Sequence, residues 1–182
     1  MIAATTAINN LLDACTRLLG DDRPEESCAS ELRATLSTSR KALALKFADA
    51  RDVVLVHRTS DLTMVVMPTP PGYWFWPHEH GMWAVTAMVI GAEDHVVYER
   101  RDLGLFEKRR FRIDEGIVAP MPDDIVHAVG NPGDGVSIGL HLYGGDPVVA
   151  QSLEWDPATG EARVVDGETS NRRRAAMGPR SA

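Results

Sequence analysis

Two short stretches hold the residue types that could do chemistry: Pro77-His78-Glu79-His80-Gly81 and, further along, Asp124-Ile125-Val126-His127-Ala128. Side chains two apart in an extended strand share a face and sit ~7 Å apart along it. On that geometry His78 and His80 turn their rings onto one ion, and His127 completes a three-nitrogen face. Imidazole nitrogen suits Fe, Cu, Ni and Zn at ~2.0–2.2 Å, and three ligands leave positions open for substrate, water or O2. The pattern reads as a catalytic metal site rather than a structural one. Three neutral imidazoles also leave the charge of a divalent ion uncompensated. The site therefore favours an anionic donor, and a thiolate suits a late first-row ion.

A second group lies towards the end of the strand-rich region. Val136, Ile138, Leu140 and Leu142 share one parity, and Ser137, Gly139, His141 and Tyr143 share the other. One face of such a strand is apolar and the other polar. Two readings stand open. Either the polar parity faces solvent, or it faces a metal inside a barrel, where His141 and Tyr143 would donate hydrogen bonds to whatever the metal binds. The aromatic run Tyr73, Trp74, Phe75 and Trp76 leads into His78 on what Pro68, Pro70, Pro71 and Gly72 predict to be an irregular loop. It forms either a substrate wall or a plug for the end of a barrel. By strand parity Glu79 points away from its flanking histidines and reads as structural, while His95 reads as a surface or edge residue.

What positions these residues is a series of short strands behind two helices. Over residues 5–19, Ile8, Leu11, Leu12, Cys15, Leu18 and Leu19 recur at three- and four-residue steps, one apolar helix face ended by Gly20. Pro24, Glu25 and Glu26 suit the first turn of a second helix, whose apolar stripe is Cys28, Leu32 and Leu36. Residues 37–50 fit either a third short helix or a connector. From Asp52 the texture changes to β-branched runs separated by Gly, Pro and Asp turns, which predict strands near residues 53–56, 62–67, 83–90, 95–99, 103–113, 116–120, 125–129 and 136–143. Residues 148–155 read as one last strand. Many short strands without intervening helices predict an all-β sandwich or barrel. The expected organisation is mainly β, with residues 1–50 as an N-terminal helical cap, 51–165 as the barrel, and the polar, Arg-bearing residues 166–182 as a flexible tail.

With 182 residues, 44% of them hydrophobic, the chain is long enough for one sizeable core and short for two. A net charge of −7 and a pI near 5.3 would repel a phosphate backbone, so no nucleic-acid partner is expected. No run of eighteen apolar residues and no basic-then-apolar N-terminal segment is present, so the expectation is a cytoplasmic protein without a membrane partner, monomeric or homodimeric. Cys15 and Cys28, the only cysteines, read as buried reduced thiols.

The histidine spacing resembles the two motifs of the cupin superfamily. Gly72, His78, His80 and Gly91 fit the first, with Ala84 and Val85 where its acidic ligand would stand. Gly116, Pro122, His127 and Asn131 fit the second, with Asp124 replacing a glycine. Across residues 53–147, the stretches His78-Glu79-His80-Gly81-Met82-Trp83, Ile125-Val126-His127-Ala128-Val129-Gly130-Asn131-Pro132 and His141-Leu142-Tyr143-Gly144-Gly145-Asp146 are similar to the cysteine dioxygenase family of thiol dioxygenases. The similarity is nearest the bacterial branch with 3-mercaptopropionate dioxygenases. It implies a cupin double-stranded β-helix, a jelly-roll barrel with N-terminal helices, and Fe(II) held by His78, His80 and His127. It implies a non-heme dioxygenase adding O2 to a small thiol substrate, of cysteine or 3-mercaptopropionate type, to give a sulfinate. His141 and Tyr143 would be catalytic, Arg58 would bind the substrate carboxylate, and Trp76 and Trp83 would wall the substrate from water. Gly139 stands where the family has a serine, and Val85 where animal members carry the cysteine that cross-links to the tyrosine. Zn, Ni or Mn at the same face would suit a three-histidine cupin of another reaction type, a different oxidation or a Lewis-acid isomerase or lyase. A cupin that only binds a small molecule is the third reading.

Overall fold

The computed structural model describes residues 2–102 and 104–165. The tail expected over residues 166–182 lies outside them. Helix α1 (Ile2–Leu18) buries Ala4, Ile8, Leu11 and Cys15 against helix α2 (Pro24–Phe47). Helix α2 is continuous, so residues 37–47 neither connect nor start a third helix. Leu32, Leu36, Leu43 and Phe47 keep one buried stripe through the polar stretch, and the Ser37 and Thr38 hydroxyls donate to the Ala34 carbonyl within the helix. Both cysteines are free and buried where the helices meet, with Cys28 Sγ 4.0 Å from the Cys15 carbonyl.

Among the described residues eleven strands follow. β1 (Val54–Arg58), β2 (Thr63–Thr69), β4 (Ala84–Ile90), β7 (Val118–Met121) and β9 (Ser137–Tyr143) form a five-stranded sheet in the order β1-β2-β9-β4-β7. β3 (Trp74–His78), β5 (Glu93–Arg101), β6 (Gly104–Ile113), β8 (Val126–Gly130), β10 (Leu153–Trp155) and β11 (Ala162–Val164) form a six-stranded sheet, β11-β10-β3-β8-β5-β6. Every pairing is antiparallel. From β2 to β5, and again from β6 to β9, each successive strand crosses to the other sheet, which is the winding of a double-stranded β-helix.

Two strands also differ from the sequence expectation. The aromatic run is strand β3, not an irregular loop: Trp74 and Phe75 pair with Gly130 and Val129, and the ladder breaks register between Phe75 and His78, around Pro77. A proline cannot donate to a ladder, and an irregularity is where a strand tolerates one. The expected last strand is cut to three residues and completed by β11.

The parity of β9 decides which side is inside. Ile138, Leu140 and Leu142 join Met64, Val66, Val85, Ala87 and Val89 in a core shared with both helices. The opposite parity, with Tyr143, faces the interior between the sheets alongside Val65, Ala84, Met88 and Ile113. All of β9 is buried, so its polar residues do not face solvent. At roughly 25 cal/mol per Å² of apolar surface removed from water, the helix-covered face anchors the sheet that carries His141 and Tyr143.

Candidate metal centre

His78 is the last residue of β3 and lies opposite His127 of β8 in the ladder. His80 does not sit two places along the same strand. It follows the end of β3, where the chain turns at Gly81, whose φ of +67° favours glycine. The turn, rather than strand parity, closes the triangle. One ring nitrogen from each of His78, His80 and His127 lies within 4.8 Å of the others, and the ring centroids are 4.8–5.1 Å apart.

The hydrogen bonds behind the rings select the nitrogens that face inward. His78 Nδ1 is 2.7 Å from the Trp76 carbonyl, so Nδ1 carries the proton and Nε2 is left as a donor to a metal. His127 Nδ1 is 3.1 Å from His95 Nδ1, and its Nε2 is 3.5 Å from His80 Nε2. Burial lowers the pKa of all three rings, and the neighbouring imidazoles lower it further; for His78 the Trp76 carbonyl partly offsets this. Three neutral, converging imidazoles, with the outer nitrogen of His78 held by a carbonyl and that of His127 by a second histidine, fit a divalent late first-row ion.

The triangle opens onto a cavity of about 200 Å³. Tyr73, Phe75 and Trp76 form an aromatic wall, so the run that precedes His78 lines the site rather than only plugging the barrel. Trp76 is itself covered by the Arg163 guanidinium, 4.3 Å from its ring centre. His141 and Tyr143 line the same cavity. The Tyr143 ring meets that of His80 edge-on at 5.1 Å, and His141 Nδ1 is 3.2 Å from Thr86 Oγ1, directly across the ladder.

Two expected substrate contacts fall elsewhere. Arg58 closes β1 and forms an ion pair with Asp146 at 2.9 Å; it is not among the residues lining the cavity, because its guanidinium is already matched by that carboxylate. Trp83 packs against the helix-side core with its indole over Gly144, on the far side of the sheet from the site. Glu79 is bound as expected of a structural residue, in an ion pair with Arg100 and accepting from the Leu153 amide, although it also borders the cavity. Asn131 is structural too. Its side-chain amide donates to the Thr69 and Gly135 carbonyls, pinning the turn that carries the start of β3.

The structure adds two residues that sequence reasoning missed. His95, read as a surface or edge residue, is buried, stacks on Phe111 at 4.6 Å and reaches His127. Glu93, which falls between the strands expected at 83–90 and 95–99, begins β5 and is buried between two imidazoles, with Oε2 3.5 Å from His95 Nε2 and Oε1 3.4 Å from His141 Nε2. Burial pushes its carboxyl up, but His141 and then His95 outweigh that and hold it at about 2. The strand period was the available signal. Glu93, His95 and Val97 share a face, and Val97 lies opposite His127.

No protein-family model matches the chain, and no curated protein matches it. Several solved structures are similar in shape. BH2720 from Bacillus halodurans is 13% identical with a TM-score of 0.49, covering 57% of this chain and 77% of its own. The DMSP lyase DddQ from Ruegeria pomeroyi is 18% identical with a TM-score of 0.47, covering 64% and 56% respectively. An RmlC-like cupin family protein with a double-stranded β-helix fold, mj0764 from Methanocaldococcus jannaschii, is 14% identical with a TM-score of 0.44, covering 54% and 85%. No helix of the described residues is long and apolar enough to cross a membrane.

Proposed function

We propose that this chain is a metal-dependent cupin enzyme that oxidises a small thiol with O2 to the sulfinate. The observation that carries the reading is the placement of His141 and Tyr143 on the inward parity of β9, beside the His78, His80 and His127 triangle. A face of three histidines alone would suit many reactions; a phenol and an imidazole projecting beside it suit one in which an anionic donor and O2 must be oriented together.

Fe(II) bound by the three histidines would supply adjacent open positions for thiolate and O2 together with the redox couple that joins them. Overall, RSH and O2 give RSO2H. Two S–O bonds form, the O–O bond breaks, and the four electrons that sulfur loses are those that O2 gains, so no outside reductant enters. The chain's own groups do the rest. Tyr73, Phe75 and Trp76 exclude water and cover the hydrocarbon part of the substrate. Tyr143 offers a phenol donor beside His80, and Thr86 orients His141. With Arg58 committed to Asp146, binding relies on the sulfur and the aromatic wall rather than on a guanidinium clamp.

The test is metal analysis of protein purified without oxygen, then O2 uptake after Fe(II) loading with 3-mercaptopropionate, cysteine and cysteamine in turn. Thiol-dependent uptake supports the reading and ranks carboxylate against amine substrates. Bound metal with no uptake for any thiol points to a different reaction at the same three histidines, and failure to bind metal points to a binding protein.

A further inference from the structure

Buried polar atoms in a folded protein are almost always paired. Around Glu93 four are not satisfied by hydrogen bonds of good geometry: both of its carboxylate oxygens, His95 Nε2 and His141 Nε2. They face one another in two close contacts, 3.5 Å to His95 and 3.4 Å to His141. A carboxylate against a ring nitrogen selects the tautomer with its proton on that nitrogen, since the other tautomer would aim a lone pair at negative charge. His95 therefore carries its proton on Nε2, and its Nδ1 becomes an acceptor. The atom facing that acceptor, at 3.1 Å, is His127 Nδ1, which must then be the donor, leaving His127 Nε2 for the cavity. On the other side His141 also carries its proton on Nε2, so its Nδ1 accepts from the Thr86 hydroxyl at 3.2 Å.

Gly139 makes the second contact possible. A Cβ there would stand 2.6 Å from His141 Nε2 and 3.3 Å from Glu93 Oε1. Any side chain at 139 would thus push the imidazole off the carboxylate.

We propose that Glu93 is a positioning residue that fixes three imidazoles at once, His95 and through it the ligand His127 on one arm, and His141 beside Tyr143 on the other. This rests on the reading that His78, His80 and His127 hold a metal. Glu93 is then the carboxylate that a three-histidine face lacks among its ligands, set one residue further out, where it couples the orientation of a ligand to that of the group facing the substrate.

Long-range ¹H–¹⁵N spectra of the imidazoles in the metal-free full chain read the tautomers directly. The expected result is a proton on Nε2 of His95 and His141 and on Nδ1 of His127. Glu93→Gln keeps the shape but presents an amide N–H to one of the two partners, so at least one of His95 and His141 should flip. Zinc affinity, measured by competition with a chelator, should fall about 10- to 100-fold when the flipped ring is His95. His95→Phe, which retains the stack on Phe111, separates the arms: zinc affinity should fall about 10-fold or more while His141 keeps its tautomer. A proton on Nδ1 of His95 or His141 in the native protein, or tautomers unchanged in Glu93→Gln, would overturn the proposal. So would native zinc affinity in His95→Phe. Tautomers as expected with no zinc bound by the native chain would instead sink the metal reading and leave the positioning role of Glu93 standing.

Discussion

His95 Nδ1 and His127 Nδ1 lie 3.1 Å apart between strands β5 and β8, so the most deeply buried of the three ligand histidines is held from behind by another histidine rather than by a backbone carbonyl. His78, by contrast, leans on the Trp76 carbonyl. The triangle therefore has one ligand fixed by its own strand and one fixed by a neighbouring strand, and the two respond differently to substitution.

His127→Ala should abolish stoichiometric metal binding, and His78→Ala should weaken it by at least about 10²-fold, since two imidazoles no longer define a face. Neither residue belongs to the apolar clusters that hold the sheets and helices together. Circular dichroism should show a folded barrel in both. Stoichiometric metal retained by His127→Ala would remove it from the ligand set.

Tyr143→Phe tests the group nearest His80. Loss of a positioned donor typically costs about 10²–10⁴ in rate. The variant should bind metal like the native chain while turnover with its best thiol drops by about 10²-fold. Steady-state kinetics beside metal analysis separates the two effects, and unchanged turnover would leave Tyr143 as packing alone.

Gly139→Ser places a side chain where His141 Nε2 already stands. Overpacking of this kind costs about 1–3 kcal/mol, and each kcal/mol lowers Tm by about 2–4 °C in a chain of this size. Thermal unfolding should show that loss together with reduced activity, because the imidazole must move away from Glu93. Native stability with native activity would mean that the barrel relaxes there at no cost.

The metal-free protein should lose stability on acidification in two stages. Burial holds His78, His80 and His127 below the ordinary imidazole value of 6.5. Below that pH the unfolded chain binds protons that the folded chain refuses, so stability falls as pH drops. Glu93 acts in the same sense lower down: its folded carboxyl is held at about 2 against an ordinary 4.5, so the stability it contributes above 4.5 is lost as pH falls towards 2. Tm measured against pH should begin to decline below about 6.5 and steepen below about 4.5. His78→Gln should flatten the first stage, and Glu93→Gln the second. A Tm independent of pH across the first stage would contradict neutral, buried imidazoles.

The legible parts of this chain were those in which local pattern and tertiary role coincide. The alternation of Ile138, Leu140 and Leu142 with Gly139, His141 and Tyr143 is a local pattern, and of the two readings it leaves open β9 takes the one with its polar parity turned inward. The three ligand candidates were legible from spacing, although a turn at Gly81 rather than a strand brings His80 in. Glu93 and His95 were missed because the expected strand began at residue 95, which left Glu93 outside it, and only with β5 starting at Glu93 does the strand period put Glu93, His95 and Val97 on one face. Arg58 and Trp83 were misplaced for a related reason. Their chemistry suits a substrate, but Asp146 and the helix-side core, both distant in sequence, already claim them. The aromatic strand β3 was hidden by the prolines ahead of it, of which Pro68 lies in β2 and Pro70 and Pro71 in the turn that follows; its own Pro77 sits where the ladder with β8 breaks register.

The most direct test of the central claim is mass spectrometry of the product formed from ¹⁸O2 by the Fe(II)-loaded chain with its best thiol. The expected product is a sulfinate carrying both labelled atoms, formed in step with O2 consumed and absent in His127→Ala. Sulfinate with label from water, disulfide as the sole product, or no oxidised thiol from iron-loaded protein would contradict it.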